Sequence, residues 1–237
     1  MMKIGEDFPK IDWRIFDLEL LEPNAFFGDL IISMVALYFA FKIQKLFKKF
    51  GHTFHLYWFL FFLITALTFT MGGLGHLLYN YWGVQGKYFA WFSGLFSMFM
   101  LEMAILSVLK KGSGFAKYFS FLKLLTTLIA LTITVILVNL ESNPLLGLII
   151  PFIHSFLGMT YYCGYQGLRL SRERDSSFIY CVYAYLLVFP ILIIQSMKIN
   201  PHQWFDRNDL SHVLLIISLV LFYKTASKTS RYISSLN

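Results

Sequence analysis

The chain contains seven stretches of about 20 mostly apolar residues, the length that an α-helix needs to cross the hydrocarbon core of a membrane. They lie near residues 25–45, 55–79, 87–109, 117–139, 144–168, 176–197 and 208–226. Hydrophobic residues make up 57% of the 237-residue chain and charged residues only 14%, which excludes an ordinary soluble domain. We therefore predict an all-α, polytopic membrane protein: a single seven-transmembrane-helix bundle over residues 1–237, with a polar extracytoplasmic segment at 1–24.

The cations predict the orientation of this bundle. Most Lys and Arg residues lie at alternate ends of the apolar stretches: Lys42, Lys45, Lys48, Lys49, Lys110, Lys111, Lys117, Arg169, Arg172, Arg174, Lys224, Lys228 and Arg231. The opposite ends carry only Lys3, Lys10, Arg14, Lys87, Lys198 and Arg207. The positive-inside rule then places the N-terminus outside and the C-terminus in the cytoplasm. The net charge of +7 is explained by membrane anchoring, so no nucleic-acid partner is expected. We predict an integral, multi-pass protein, in the cytoplasmic or inner membrane if the source is bacterial.

Polar residues converge at the predicted outer ends of the first, second and seventh stretches. They are Asp29, His76, Asn80, Asn208, Asp209 and His212. An ionisable side chain at membrane depth costs a few kcal/mol, about 2.5–3.5 on insertion scales, so each one needs a physical reason.

Helical spacing allows two interpretations of this polar group. Asn208 and His212 are four residues apart, Asp209 and His212 three apart, and His76 and Asn80 four apart, so each pair can share a helix face. A carboxylate and two imidazoles from two helices suit zinc, with one position left for water. Alternatively, the histidines satisfy buried polar partners and Asp209 caps the seventh helix.

Three further polar residues lie inside the apolar stretches. Glu102 and His154 fall near mid-membrane, where an isolated carboxylate should be protonated or paired, and they can pair with each other. The alternatives are a neutral hydrogen bond between helices and a path for protons or ions. Lys123 is predicted to extend its ammonium to the cytoplasmic surface.

Glycine and proline predict local features of the helices. Gly72, Gly73 and Gly75 should allow close approach of a neighbouring helix or a ligand. Pro151 and Pro190 should kink the fifth and sixth helices or free a carbonyl there.

Three short motifs resemble one membrane family. "GLGHLLYN" ends the second stretch, "NDLSH" opens the seventh, and "EPNAFFGDL" enters the first. With seven spans, they resemble the alkaline ceramidase branch of the CREST superfamily, a group of membrane-embedded zinc hydrolases. The sequence departs from that pattern at the ligands: His76 replaces a serine, and Asn80 and Asn208 replace two histidines, so only His212 is retained. The early third stretch offers Ser93 and Ser97 instead of the family aspartate.

The resemblance implies a lipid-directed chemistry. It implies a metal-dependent hydrolase of a lipid amide or ester, with zinc held by His76, Asp209, His212 and Asn208 and with Asp29 or Asn80 positioning the nucleophile. It also implies calcium near Asp12 and Glu22, and a membrane lipid as substrate or ligand. The alternative is a non-catalytic membrane subunit or lipid-binding receptor, and the third hypothesis is a transporter of small solutes or ions. The sequence identifies no protein partner.

Overall fold

Seven long helices dominate the structure. The computed structural model describes residues 8–109, 114–229 and 232–233. Within these residues, seven helices are long and apolar enough to cross a membrane: α1 (Pro23–Phe50), α2 (Thr53–Leu77), α3 (Tyr79–Leu106), α4 (Gly114–Leu137), α5 (Pro144–Glu173), α6 (Ser176–Ser196) and α7 (Arg207–Lys228). The prediction of a mostly helical chain with seven helices of membrane-spanning length is thus confirmed. Of the cations used to predict orientation, Lys3, Lys110, Lys111 and Arg231 lie outside the described residues, and the orientation stays a prediction.

The helices form a bundle in which α1 is central to the candidate site. Helix α1 packs against α2 and α7, α2 packs against α3, and α7 also packs against α6. Helix α4 contacts α3 and α5 and is mostly exposed, because its apolar residues are turned away from the bundle, where lipid would cover them. This arrangement brings the first turns of α1 and α7 together with the last turns of α2.

Aromatic side chains fill the core. Trp58 is fully buried, with Phe61 edge-on at a centroid distance of 5.4 Å and Phe222 of α7 at 5.7 Å. Phe39 of α1 stacks on Tyr223 of α7 at 4.4 Å with the rings nearly parallel. These contacts hold α1, α2 and α7 in a fixed rotation, which determines where their polar side chains point.

A β-hairpin precedes α1, a feature that the sequence analysis did not predict. Strands β1 (Asp12–Ile15) and β2 (Leu18–Leu21) are antiparallel, with Asp12 opposite Leu21. The hairpin is joined to the helices through side chains, because Tyr81 and Asn80 both bond to the backbone of Glu19. We call the end of the bundle that carries β1 and β2 the hairpin end.

One helix ends earlier than predicted, and helices α3, α5 and α6 contain irregular turns, that of α3 being the 3₁₀ segment Gly83–Lys87. Helix α2 ends at Leu77, before Asn80, so the predicted stretch to residue 79 was too long. Helix α5 continues through Pro151 and includes a π-helical segment, Met159–Gln166. Helix α6 is interrupted at Leu187. Pro190 explains this interruption, because it has no N–H to donate to the carbonyl of Leu186 four residues earlier.

A buried ion pair joins α3 and α4 and corrects one prediction. Lys123 does not reach the membrane surface: its Nζ donates to Glu102 Oε1 at 2.6 Å and to the backbone carbonyl of His154 at 3.0 Å. Its Nζ also lies 3.3 Å from His154 Nε2. A side chain on Gly158 of α5 would overlap the Glu102 carboxylate. The predicted Glu102–His154 pair is therefore bridged by Lys123, which is turned inward because its carboxylate partner is inside the bundle.

Candidate functional site

The candidate site at the hairpin end is built around Glu22, the N-cap residue of α1. Glu22 has a left-handed backbone conformation, with φ of 51° and ψ of 52°, and its side chain is buried. A non-glycine residue in this region carries about 1 kcal/mol or more of strain and persists only where contacts hold it. Its Oε2 lies 2.6 Å from His76 Nδ1, a hydrogen bond between α1 and the last turn of α2.

Lys10 fixes the other oxygen of Glu22. The Lys10 Nζ lies 2.5 Å from Glu22 Oε1 and 3.1 Å from Asp206 Oδ2. Burial raises the pKa of Glu22, but the hydrogen bond from His76 and the charges of Lys10 and Lys87 act against burial, and this pKa lies well below its usual range. Burial lowers the pKa of Lys10, but the charges of Glu22 and Asp206 prevail and raise it. Both groups are therefore ionised across the neutral range.

The ionised pair predicts how hairpin anchoring depends on pH. The lowered pKa of Glu22 gives a stabilisation that is complete above the unfolded value of about 4.3 and is lost as the pH falls through the folded pKa. The raised pKa of Lys10 gives a second stabilisation, which is complete below the unfolded value of about 10.4 and is lost as the pH rises through the folded pKa. Hydrogen exchange of the amides in residues 12–21 should therefore show constant protection between about pH 5 and 10.

At neutral pH, Lys10→Met should speed exchange of the hairpin amides about ten- to a hundredfold, because a charged hydrogen bond contributes about 1.5–3 kcal/mol. Arg14→Met is the matched control, since Arg14 pairs with Glu19 on the exposed surface of the same hairpin and should contribute little. Equal effects of the two variants would contradict the assignment of Lys10 as the anchor.

A second imidazole and carboxylate lie deeper in the bundle. Asp29 is buried seven residues beyond Glu22, or about 10 Å further along α1. Its Oδ1 lies 3.2 Å from His212 Nε2 on α7. The other ring nitrogen, Nδ1, is buried against Gly28, and among the described residues it has no hydrogen-bond partner. The ring of Phe69 from α2 packs edge-on to His212 with centroids 6.5 Å apart.

Gly28 provides a sharp test of this packing, because a Cβ there would overlap His212 Nδ1. Gly28→Ala should displace His212 from Asp29 and lower the free energy of unfolding by about 1–3 kcal/mol, although Ala is the better helix former. Gly94→Ala in α3 is the control, since the nearest atom to its new Cβ would be Thr68 Cγ2 at 3.9 Å. Thermal unfolding in detergent measures both. A Gly28→Ala protein as stable as Gly94→Ala would show that His212 is packed differently.

The remaining predicted site residues have other partners. Asp209 completes a capping box: its Oδ2 accepts from the backbone N–H of Asp206 at 2.9 Å and from Asn24 Nδ2 at 2.8 Å. Asn208 Oδ1 accepts from Gln195 of α6 at 3.3 Å. Asn80 lies beyond the end of α2, so it does not share a helical face with His76, and its amide donates to the Glu19 carbonyl at 3.2 Å. The N-cap itself is Asp206, three residues before Asp209.

The predicted zinc ligands are therefore divided among several contacts. His76 is held by Glu22, His212 by Asp29, Asp209 by the capping box and Asn208 by Gln195. Within residues 8–109, 114–229 and 232–233, three or more His, Cys, Asp or Glu side chains do not gather as a metal-binding group. The four residues as arranged do not fit one zinc ion. The two residues predicted to lie near calcium do not share one site either, because Asp12 is exposed on β1 while Glu22 is paired with Lys10.

The predicted close approaches are confirmed at two of the three glycines of α2, whereas a Cβ on Gly72 would lie no closer than 3.6 Å to its nearest neighbour, an ordinary van der Waals contact. A Cβ on Gly73 would lie 3.0 Å from Asp29 Cβ, and one on Gly75 would lie 2.6 Å from the carbonyl oxygen of Gly86. These glycines let α1 and α3 approach α2 within the helical turn that precedes His76. They place Asp29 and Lys87 beside the site.

Sequence reasoning missed the partners that organise the site. Glu22 was considered only as a calcium residue, and Lys10 only as a cation outside the membrane. One signal was available: Glu22 precedes Pro23, and Pro is favoured in the first helical turn, so Glu22 had to be the N-cap of α1.

A carboxylate on Nδ1 of His76 leaves Nε2 of the ring available as a base, the arrangement that orients the histidine of catalytic triads.

Comparison with known proteins places the chain in a family without assigning it a reaction. Searches of curated proteins and of solved structures found no match. Residues 25–231, which contain all seven helices except the first two residues of α1, match a family model described as "Family of unknown function (DUF6962)". Because that match covers most of the chain, the protein belongs to the DUF6962 family.

Proposed function

We propose that the protein is a membrane-embedded hydrolase that cleaves an amide or ester bond of a membrane lipid, with His76 as its general base. The observation that carries this proposal is the 2.6 Å hydrogen bond between His76 Nδ1 and the buried carboxylate of Glu22. A histidine with a purely structural role needs only a hydrogen-bond partner, and that partner need not be held in place by a further residue. Here the partner is itself fixed by Lys10, and the side chain of His76 remains 20% exposed, which leaves part of the ring open to a substrate.

The chemistry follows from the tautomer that Glu22 selects. The Nδ1–H of His76 donates to Glu22, so Nε2 carries the lone pair and takes a proton from a water molecule. The water oxygen adds to the carbonyl carbon of the lipid and forms a tetrahedral intermediate. His76 then returns the proton to the leaving nitrogen or oxygen as its bond to carbon breaks. The products are a carboxylic acid and an amine or alcohol.

The charges around the site favour this reaction. Lys87 interacts electrostatically with Glu22 and Asp29, and a nearby cation stabilises the negative oxygen of a tetrahedral intermediate. Asp29 and His212 hold α1 against α7 beneath the reacting groups and act as positioning residues. The resemblance to zinc hydrolases supports the lipid amide or ester as substrate. Because the zinc ligands do not fit one ion, each step above uses only side chains of this chain.

The direct test is hydrolysis of defined lipids by the purified protein. We expect mass spectrometry to detect a released fatty acid from at least one lipid amide or ester, and His76→Ala to abolish its release. His202→Ala, an exposed histidine at the same end, should retain activity. Lipid that is bound but unchanged would favour the receptor or subunit hypothesis. Elemental analysis of the same samples tests the zinc prediction, since zinc lost on His76→Ala would make that histidine a ligand instead of a base.

A further inference from the structure

A cavity at the hairpin end lies next to the candidate site and takes no part in the proposed reaction. It has a volume of about 530 Å³ and lies between α2, the start of α3 and the loop before α5. Its walls include Met71, Tyr81, Trp82, Phe89 and Glu141. It adjoins His76 through the contact between Gly75 and Gly86, which also lines the cavity.

The negative charge in this cavity is fixed in place. Glu141 Oε1 accepts from the backbone N–H of Val84 at 2.7 Å, and Oε2 accepts from the Tyr79 hydroxyl at 3.2 Å. Gly83 has a φ of 54°, and a side chain there would overlap the Glu141 carboxylate. The chain therefore turns so that the α4–α5 loop can place a carboxylate against the start of α3.

The aromatic walls are both anchored and accessible. The Tyr81 hydroxyl accepts from the backbone N–H of Glu19 at 2.9 Å, so β2 fixes this ring. Tyr81, Trp82 and Phe89 are each 42–52% exposed, which leaves their faces available to a ligand. Trp and Tyr also occur singly at membrane surfaces as anchors. Here three aromatic rings line the same cavity as a fixed carboxylate, which distinguishes them from single anchors and suits the binding of a cation.

The chemistry of the cavity selects one kind of cation. A primary ammonium donates up to three hydrogen bonds, and each oxygen of Glu141 already uses one of its lone pairs to accept from a protein donor. A quaternary ammonium has no N–H to donate and is bound by charge and by aromatic faces alone. The cavity also lies at the end of the transmembrane helices, at the level where lipid headgroups would be found.

We propose that this cavity binds the trimethylammonium group of a choline-type lipid headgroup. The site names the lipid class on which the proposed hydrolase acts, and in that role it rests on the proposed function. The bound headgroup would place the lipid beside α2 with its ester or amide bonds on the membrane side of the cavity. Binding itself does not depend on hydrolysis and can be measured separately.

The test is native mass spectrometry of the protein taken from nanodiscs with equal amounts of phosphatidylcholine and phosphatidylethanolamine, which differ only at the ammonium group. We expect retained phosphatidylcholine to exceed phosphatidylethanolamine about tenfold, and Trp82→Leu and Glu141→Gln each to reduce that preference at least fivefold. Trp204→Leu, an exposed tryptophan at the same end outside the cavity, should leave it unchanged. Trp82→Leu gives a second, independent test, because Glu141→Gln could also disturb the fold by changing the contact of Glu141 with the backbone of Val84.

Each other outcome overturns the headgroup site. Equal retention of the two lipids would reject it, as would a preference that survives Trp82→Leu. Binding of soluble phosphocholine with no preference between the lipids would assign the cavity to a free solute instead. The His76→Ala variant separates the two proposals: it should keep the lipid preference and lose hydrolysis. Hydrolysis without a choline preference would leave the proposed function standing and remove only this site.

Discussion

Lys123→Met is expected to destabilise the protein more than any other single substitution discussed above. Lys123 is the cation that faces Glu102 inside the bundle, and the same ammonium donates to the backbone carbonyl of His154. Removing one member of a buried ion pair leaves an uncompensated charge and typically costs about 3–5 kcal/mol. For a chain of this length that loss lowers the midpoint of thermal unfolding by roughly 6–20 °C.

Two variants distinguish the ion pair from simple loss of a side chain. Lys117→Met removes a cation one and a half turns earlier on the same helix, where the side chain is exposed, and should shift the midpoint little. The double variant Glu102→Gln with Lys123→Met removes both charges and should recover most of the lost stability. Thermal unfolding in detergent measures all three. A Lys123→Met protein that unfolds with the parent, or a double variant no better than the single, would mean that the pair contributes little.

Much of the fold could be predicted because membrane burial acts on whole segments. A helix that must satisfy its own backbone in lipid needs a long apolar stretch, and this requirement marks each helix without knowledge of its neighbours. Where the prediction failed, short-range contacts decided the result. The hairpin of β1 and β2 is too short for a clear alternating pattern, and α2 ends at Leu77, where the following residues turn to contact it.

The candidate site could be predicted in its position but not in its pairing. Counting residues along the helices was enough to bring Asp29, His76 and His212 to one end. Which carboxylate meets which imidazole depends on the rotation of α1 about its axis. That rotation is set by contacts between helices, such as Phe39 stacked on Tyr223, and it cannot be predicted from a single sequence. The prediction for Lys123 was wrong for the same reason. Its side chain is long enough to extend to the membrane surface, but the rotation of α4 turns it towards Glu102.

The largest expected effect on activity comes from the Glu22–His76 pair. His76→Ala removes the base and should lower kcat by about 10²–10⁴-fold, the range that a general base contributes. Glu22→Gln keeps the size of the side chain but can donate as well as accept, so it no longer fixes the proton on Nδ1 of His76, and kcat should fall by a similar factor. Because neither change removes a contact proposed for the lipid headgroup, KM should change little.

Glu22 also anchors the hairpin, so the loss of activity has to be separated from a loss of structure. Lys10→Met breaks the contacts of Lys10 with Glu22 and Asp206 but leaves the hydrogen bond to His76 in place, and it should loosen the hairpin while retaining most of kcat. Glu22→Asp keeps the charge and should restore part of the activity lost in Glu22→Gln. The pH profile gives an independent check, because the rise in kcat as His76 loses its proton should vanish in His76→Ala. If Lys10→Met lost as much activity as Glu22→Gln, the carboxylate would act only by holding the hairpin, and His76 would no longer be supported as the base.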